Sequence, residues 1–253
     1  MIYKLNSFFC YIGHLVMLFG HTIFSLFTKK PRFLLIYKQL VKIGLESLPL
    51  VFLTSFFTGI VLALQSAYQM EKLSAEIYIA ALVALSMVRE LGPVITGLVV
   101  AGRVGASISA ELGTMKVTEQ IDALESMAVD PVHYLVVPRF LGLLFMLPLL
   151  TVYADVMGIF GGFLIGVTKL GITPNYYIRL TFEALTMRDL CSGFTKPVIF
   201  AFIIALISCQ EGFFTKGGAE GVGRATTRTV VNTFVLIIAA DCLITALYYF
   251  LLR

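Results

Sequence analysis

Charged residues interrupt stretches that are otherwise apolar, among them Arg89, Glu90, Lys196 and Asp241, with Arg103 further along the same stretch as Arg89 and Glu90. A charge at bilayer depth costs roughly 2.5 to 3.5 kcal/mol even on the most lenient insertion scale, so each needs a counter-charge or water. Two cations and two anions can balance, which leaves two readings open. One is an ion-pair cluster that locks helices together; the other is the polar wall of a cavity that handles a charged headgroup. Asp155 is a further intramembrane acid and has no evident partner in the sequence.

A second constellation lies in a polar segment. Glu119, Asp122 and Glu125 recur every third residue, while Ile121, Leu124 and Ala128 fall on another helical face, and Asp130-Pro131 ends the pattern because proline cannot continue a helix. This spacing predicts a short amphipathic helix. Its acidic face is either a solvated surface or a docking element for a partner with a groove.

Other chemistry is missing. No G-x-x-x-x-G-K-[ST] occurs, and Gly217-Gly218 with Gly221 and Gly223 is followed by no Lys-Ser/Thr pair to hold phosphate and magnesium. Any nucleotide is therefore handled by another chain. His14, His21 and His133 are isolated, and Cys10, Cys191, Cys209 and Cys242 sit far apart in apolar runs, so neither a catalytic triad nor a metal or disulfide framework is indicated.

The elements that must position these groups follow from composition. Of 253 residues, 58% are hydrophobic and 13% charged, with no Trp; a soluble domain carries about 25% charged residues. The chain is a membrane protein, and its net charge of +4 forms no basic stripe with interleaved aromatics that would fit nucleic acid. A spanning helix needs about 20 mostly apolar residues. Ser47 to Met70, Ile77 to Ala110, Phe140 to Thr168, Leu190 to Gln210 and Thr229 to Leu252 meet that need. Leu5 to Thr28 is apolar too, but Lys4, Ser7, Tyr11, His14, His21, Ser25 and Thr28 mark one polar stripe, the pattern of a helix lying in the interface, and no small-residue cleavage site of a signal peptide follows it.

Lys29, Lys30, Arg32, Lys38 and Lys42 form the densest basic cluster and hold the N-terminus inside. Five crossings then put Glu71 to Glu76 and Lys169 to Asp189 outside, Glu111 to Arg139 and Glu211 to Arg228 inside, and Arg253 outside. Eleven Lys and Arg residues fall on the inside segments and five outside, as the positive-inside rule requires. Small residues crowd the second span at Gly92, Gly97, Ala101, Gly102, Gly105, Ala106 and Ser109 and predict close helix packing; Pro93 predicts a bend or local unwinding.

Several ordered motifs then carry a resemblance: Arg89-Glu90-Leu91-Gly92-Pro93, Ala101-Gly102-Arg103, Ala110-Glu111-Leu112-Gly113-Thr114-Met115, Thr118 to Ala123, Met127 to Pro131, Pro138-Arg139, and Gly223 to Arg228. Together they resemble the MlaE/YrbE family of lipid-transport ABC permeases. The likeness covers nearly the whole chain from Gly59 onward and is highly specific, because the motifs agree in order and spacing.

The resemblance implies an all-α integral membrane fold: an N-terminal interfacial and basic segment over residues 1–45, then a permease domain over 46–253 with five transmembrane helices and a cytoplasmic coupling helix at about 114–131. It implies a non-catalytic subunit, working as a homodimer with a cytoplasmic ABC ATPase that binds ATP and magnesium. The complex would move phospholipid between the bacterial inner membrane and a periplasmic MCE-domain protein, maintaining outer-membrane lipid asymmetry; a plastid-encoded copy would need no transit peptide either. Carried over residue by residue, Leu62, Gln65, Gln69 and Met70 line the lipid pocket with Leu73 just beyond. The ATPase would dock on Glu119, Ile121, Asp122, Leu124 and Glu125. Arg89, Glu90, Lys196 and Asp241 match charged positions of the family, and Asp155 departs from it. The rival readings are a secondary transporter, for which no second Gly-Pro interruption is found, and a structural or assembly protein, which has no need of the acidic helix.

Overall fold

Apolar runs at bilayer depth fold as helices because a helix satisfies each backbone N–H and C=O within its own segment. The computed structural model describes residues 2–30, 32–71 and 76–251, and among these there is no strand. Helix α1 spans Ile2–Thr28 and α2 Phe33–Gly44. A 3-10 turn, Leu45–Ser47, leads into α3, Leu48–Glu71. Then come α4 (Ile79–Val117), the short α5 (Gln120–Ser126), α6 (Val132–Thr168), α7 (Pro174–Ala184), α8 (Met187–Phe213) and α9 (Gly218–Leu251).

Among the described residues six stretches are long and apolar enough to cross a membrane: Phe9–Thr28, Phe33–Met70, Ile79–Val117, Val132–Thr168, Met187–Phe213 and Gly218–Phe250. The chain is an all-α, multi-pass membrane protein. The spans expected from the sequence fall in five of these stretches, apart from Ile77 and Tyr78, which belong to the 3-10 turn Glu76–Tyr78, Leu251 at the end of α9, and Leu252, which is outside the described residues. The sixth is α1, which qualifies by length and composition alone. Helix α7 was not anticipated; it forms in the loop after α6, where Pro174 takes the first turn and needs no N–H donor there.

The bend expected at Gly92-Pro93 takes a specific form. Helix α4 is not regular: it widens into π turns at Met87–Leu91 and again at Ala101–Gly105. The first lies immediately before Gly92-Pro93, so the missing proline N–H is absorbed by a local change of hydrogen-bond pattern and the helix continues. Arg89 and Glu90 sit on the first wide turn and Arg103 on the second.

The chain groups into two compact units, one comprising residues 1–45, 100–146 and 201–237, the other 46–99, 147–200 and 238–253. In the first, small residues allow close packing as predicted: a methyl group on Gly105 would come 3.1 Å from Ser208 Oγ, and one on Gly212 2.6 Å from Leu112 Cβ. In the second, α3 and α6 touch backbone to backbone, where a methyl group on Gly59 would lie 1.8 Å from the carbonyl oxygen of Gly158. Ala63, Ala67, Ile79, Val83 and Met87 form a buried apolar cluster in that unit.

Candidate functional site

The intramembrane charges are brought together, though not in the pairing that a simple balance predicts. Lys196 has no exposed surface. Its Nζ donates to Glu90 Oε2 at 2.5 Å and lies 2.9 Å from Asp241 Oδ1. Thr245 completes the group: Lys196 Nζ is 2.9 Å from its hydroxyl, which donates to Glu90 Oε1 at 3.0 Å. Arg89 turns elsewhere and pairs with Asp189 at 2.5 Å. Asp189 also accepts from the backbone N–H and the hydroxyl of Thr186, so the acid is fixed at the start of α8 before the arginine arrives. The sequence pattern places Asp189 at the end of the outer loop rather than among the intramembrane charges. The signal that could have found it is its position in the first turn of the helix, where an acid is favoured.

Around these groups is a polar cavity of about 230 Å³ lined by Arg89, Glu90, Arg188, Asp189, Ser192 and Thr245. It offers cations, acids and hydroxyls together, and so could receive a group that carries both signs of charge.

On α3, Leu62 and Met70 are half-buried and pack against the Ala63–Met87 cluster. Gln65 and Gln69, one turn apart, are exposed beside Val61 and Tyr68. Leu73 lies outside the described residues. Exposed amides inside a spanning helix need a hydrogen-bonding partner, because lipid tails supply none. That need separates the α3 face from the plainly apolar exposed faces of the chain.

The third candidate group lies on α5. Glu119, Asp122 and Glu125 are exposed, Leu124 is half-buried, and Ile121 is 2% exposed because it is packed within the chain's own first unit. Ile121 thus anchors the helix to its own protein, and the surface left for a partner consists of the acids, Leu124 and Met127, the last 64% exposed. Lys116 holds Asp122 at 2.6 Å. The helix is bracketed by two non-glycine residues in the left-handed region, Glu119 at φ 59° and Ala128 at φ 57°. Each costs on the order of 1 to 3 kcal/mol, and such residues cluster where a segment must hold a special geometry.

The first unit also ties α1 down, which the sequence had hinted only through its polar stripe. Gln210 Nε2 donates to the Tyr11 carbonyl at 3.0 Å, His14 stacks on Phe214 with ring centres 4.6 Å apart, and Ser25 meets His133 Nδ1 at 3.0 Å. Asp130 accepts from Lys29 Nζ at 2.8 Å, with His21 Nε2 3.5 Å away, and from the Val132 backbone N–H at 3.0 Å. Burial alone would raise the Asp130 carboxyl, but the Lys29 hydrogen bond, the His21 charge and the Val132 N–H together hold it below the ordinary carboxylate range. Of the stripe, Ser25 is buried and Tyr11 half-buried, whereas His14, His21 and Thr28 remain exposed, as do the apolar Val16, Met17, Phe24 and Phe27. Nearby, Glu111 joins Lys42 at 3.0 Å and the buried Arg139 at 2.9 Å.

Helices of spanning length around an ion-paired polar centre define a multi-pass membrane protein. The chain matches the Permease MlaE family over residues 36–247 and belongs to that family. It is 49% identical over 233 residues to a protein of Rickettsia typhi named "Probable ABC transporter permease protein", covering 92% of this chain and 90% of that one. It is 38% identical over 235 residues to the "Intermembrane phospholipid transport system permease protein MlaE" of Haemophilus influenzae, covering 91% of this chain and 90% of the relative. The chloroplastic protein TRIGALACTOSYLDIACYLGLYCEROL 1 of Arabidopsis thaliana is 38% identical over 212 residues, which is 84% of this chain and 61% of that protein.

Proposed function

We propose that this chain is the membrane-spanning, non-catalytic subunit of an ATP-driven transporter. It moves phospholipid between the inner membrane of a bacterial cell and a periplasmic MCE-domain carrier, and so maintains the lipid asymmetry of the outer membrane. The observation that carries the reading is the 38% identity, over nine-tenths of both chains, to a relative named for intermembrane phospholipid transport. A cytoplasmic ATPase binds ATP and magnesium, docks on the acids of α5 with Leu124, and shifts that helix when it closes. Two copies of the chain enclose a lipid cavity between them, with Leu62, Gln65, Gln69 and Met70 on its wall. The exposed amides at Gln65 and Gln69 support this, since a lipid headgroup or a second copy would satisfy them.

Helix α1 lies in the interface. Tyr11, well inside the helix, and Lys29, just past its C-terminus, are held by residues near 210 and by Asp130, and the charge bias places both of those segments inside. The 18 steps from Tyr11 to Lys29 rise about 27 Å at 1.5 Å per residue, so a crossing helix would have carried one of the two to the other side of the bilayer.

Co-purification in mild detergent tests the whole reading. An ATPase subunit retained with the chain, and ATP-dependent transfer of labelled phospholipid from liposomes containing the complex, are the expected results. Transfer without any ATPase would establish a secondary transporter instead, and neither activity nor ATPase would leave a structural protein.

A further inference from the structure

Asp155 belongs to none of the ion pairs described above. It lies on α6 with its Oδ1 buried against α4: a methyl group placed on Gly92 would fall 1.7 Å from that oxygen. No side-chain hydrogen bond or ion pair reaches the carboxyl among the described residues. An ionised acid that no group in the chain neutralises is costly at this depth, so the carboxyl either holds a proton or is met by a cation from outside the chain.

Beside it is a groove of about 410 Å³, lined by α4, α6 and α8. Val88, Val152, Leu190 and Phe194 make its walls apolar, and Asp155 is the one charged residue among those lining it. Val152, Leu190 and Phe194 are each about half exposed, at 48%, 45% and 51%, so the groove opens on the outer surface of this unit rather than being sealed inside it.

Its remaining oxygen atoms act as acceptors, and the one further donor is the weak thiol of Cys191. The hydroxyls of Thr151 and Thr195 spend their protons on the carbonyls one turn back, Leu147 at 3.0 Å and Cys191 at 2.7 Å, and Thr195 Oγ1 also lies 3.1 Å from the Tyr248 hydroxyl. The Gly193 carbonyl has lost its usual helical donor, because the residue four positions on is Pro197. A site made of a carboxylate, a free carbonyl and hydroxyl lone pairs, set in apolar walls, fits a ligand with a positive charge, several N–H donors and an apolar body. A primary ammonium has three donors and no acceptor. Leu190 follows Asp189, the last residue of the loop that the charge bias places outside, and Asp155 shares the groove with Thr195, about 9 Å further along α8 at 1.5 Å per residue. An amphiphile entering from the outer headgroup layer reaches it without crossing the bilayer centre.

We propose that this groove binds the ammonium group of an amine-headed phospholipid, with Asp155 as its anion and the apolar walls holding the adjoining chain. The identity of the ligand as a lipid rests on the transport function proposed above; the acceptor chemistry of the groove does not.

The test uses the full-length complex in detergent micelles doped with a photoreactive phospholipid bearing an ethanolamine, choline or glycerol headgroup, with crosslinks mapped by mass spectrometry. Choline keeps the positive charge and removes every N–H donor, so the pair separates charge from hydrogen bonding. The expected result is labelling of the peptides around Asp155 and Leu190 to Thr195 that favours ethanolamine over the other two by roughly tenfold, the ratio a hydrogen bond to a charged group provides. Asp155→Asn removes the charge at constant size and should abolish the preference. Equal labelling by all three lipids in the wild type, or a preference that survives Asp155→Asn, overturns the proposal. If the variant fails to fold, the wild-type headgroup comparison decides alone. A second photoreactive group placed at Leu62 in the same sample keeps the two ideas apart. Lipid captured at Leu62 with no headgroup preference at the groove removes the groove only, whereas a preference at the groove with nothing captured at Leu62 removes the transport cavity only.

Discussion

Lys196 Nζ sits 2.5 Å from Glu90 Oε2 although 106 residues separate the two in sequence, and the lysine has no exposed surface at all. With Asp241 2.9 Å away, one cation is shared by two acids from different helices. Removing the cation leaves two anions facing each other in a low dielectric. Lys196→Met is therefore expected to destabilise the second unit by an amount toward the lower end of about 3 to 5 kcal/mol, since Glu90 is only partly buried. Adding Glu90→Gln should recover part of the loss. Thermal unfolding in detergent reads both, and a Lys196→Met protein that melts at the wild-type temperature would mean that the cluster does not hold the helices.

The Asp130 contacts make a prediction about pH. Its carboxyl titrates below the ordinary range when folded, after the Lys29 hydrogen bond, the His21 charge and the Val132 N–H outweigh the effect of burial. A depressed carboxylate contributes stability that is present above its unfolded value, near 4, and is lost as pH falls through the lower folded value. The anchoring of α1 should therefore be constant at neutral pH and weaken only in acid. Asp130→Asn should reproduce the acid state at pH 7, seen as faster proteolysis after Lys29 and Lys30. Equal cleavage of wild type and variant at pH 7 would remove Asp130 from the anchor.

Helix α5 separates two kinds of apolar residue that the sequence pattern alone treated alike. Ile121 is packed into its own chain and Leu124 is half-exposed. Ile121→Asp buries a charge and should unfold the segment, lowering expression of the membrane-inserted protein. Leu124→Asp should leave folding intact and abolish capture of the ATPase, because apolar anchors dominate interface energetics. Reversal of Glu119 and Glu125 should weaken capture and make it less sensitive to salt. Wild-type capture by Leu124→Asp would exclude this helix as the docking element.

Much of this architecture could be read from the order of residues, for reasons that differ by element. Uncharged runs near 20 residues located the five main helices because the bilayer imposes that length. The family motifs from Arg89 to Arg228 were legible because each is local. What depended on contacts between distant segments was not. Arg89 could be given a counter-ion only by knowing that α8 begins beside α4, so Asp189 was passed over in favour of a balance among four residues. The fate of Ile121 turned on which side of a seven-residue helix meets protein, and a short segment has too few turns for its pattern to decide that. The polar stripe of α1 was legible as a stripe, yet nothing in it said that His14 and Ser25 face Phe214 and His133 rather than water.

The lipid pocket proposed on α3 offers the test that separates a lipid permease from a structural membrane protein. Leu62 and Met70 lie eight positions apart, nearly on one helical face and about 12 Å apart along the axis, and both are half-buried against the cluster around Val83. A photo-crosslinking residue at either position should capture phospholipid that survives detergent washing. Leu149, 59% exposed on α6, serves as the control. Lipid captured at Leu149 should exchange freely with detergent. Leu62→Arg places a charge in the pocket at a cost of several kcal/mol unless water enters. The complex should still assemble, since the docking surface proposed on α5 is left unchanged, but phospholipid transfer between liposomes and a carrier should fall to background. Equal retention of lipid at Leu149 and Leu62, together with full transfer by Leu62→Arg, would take the α3 face out of the transport path.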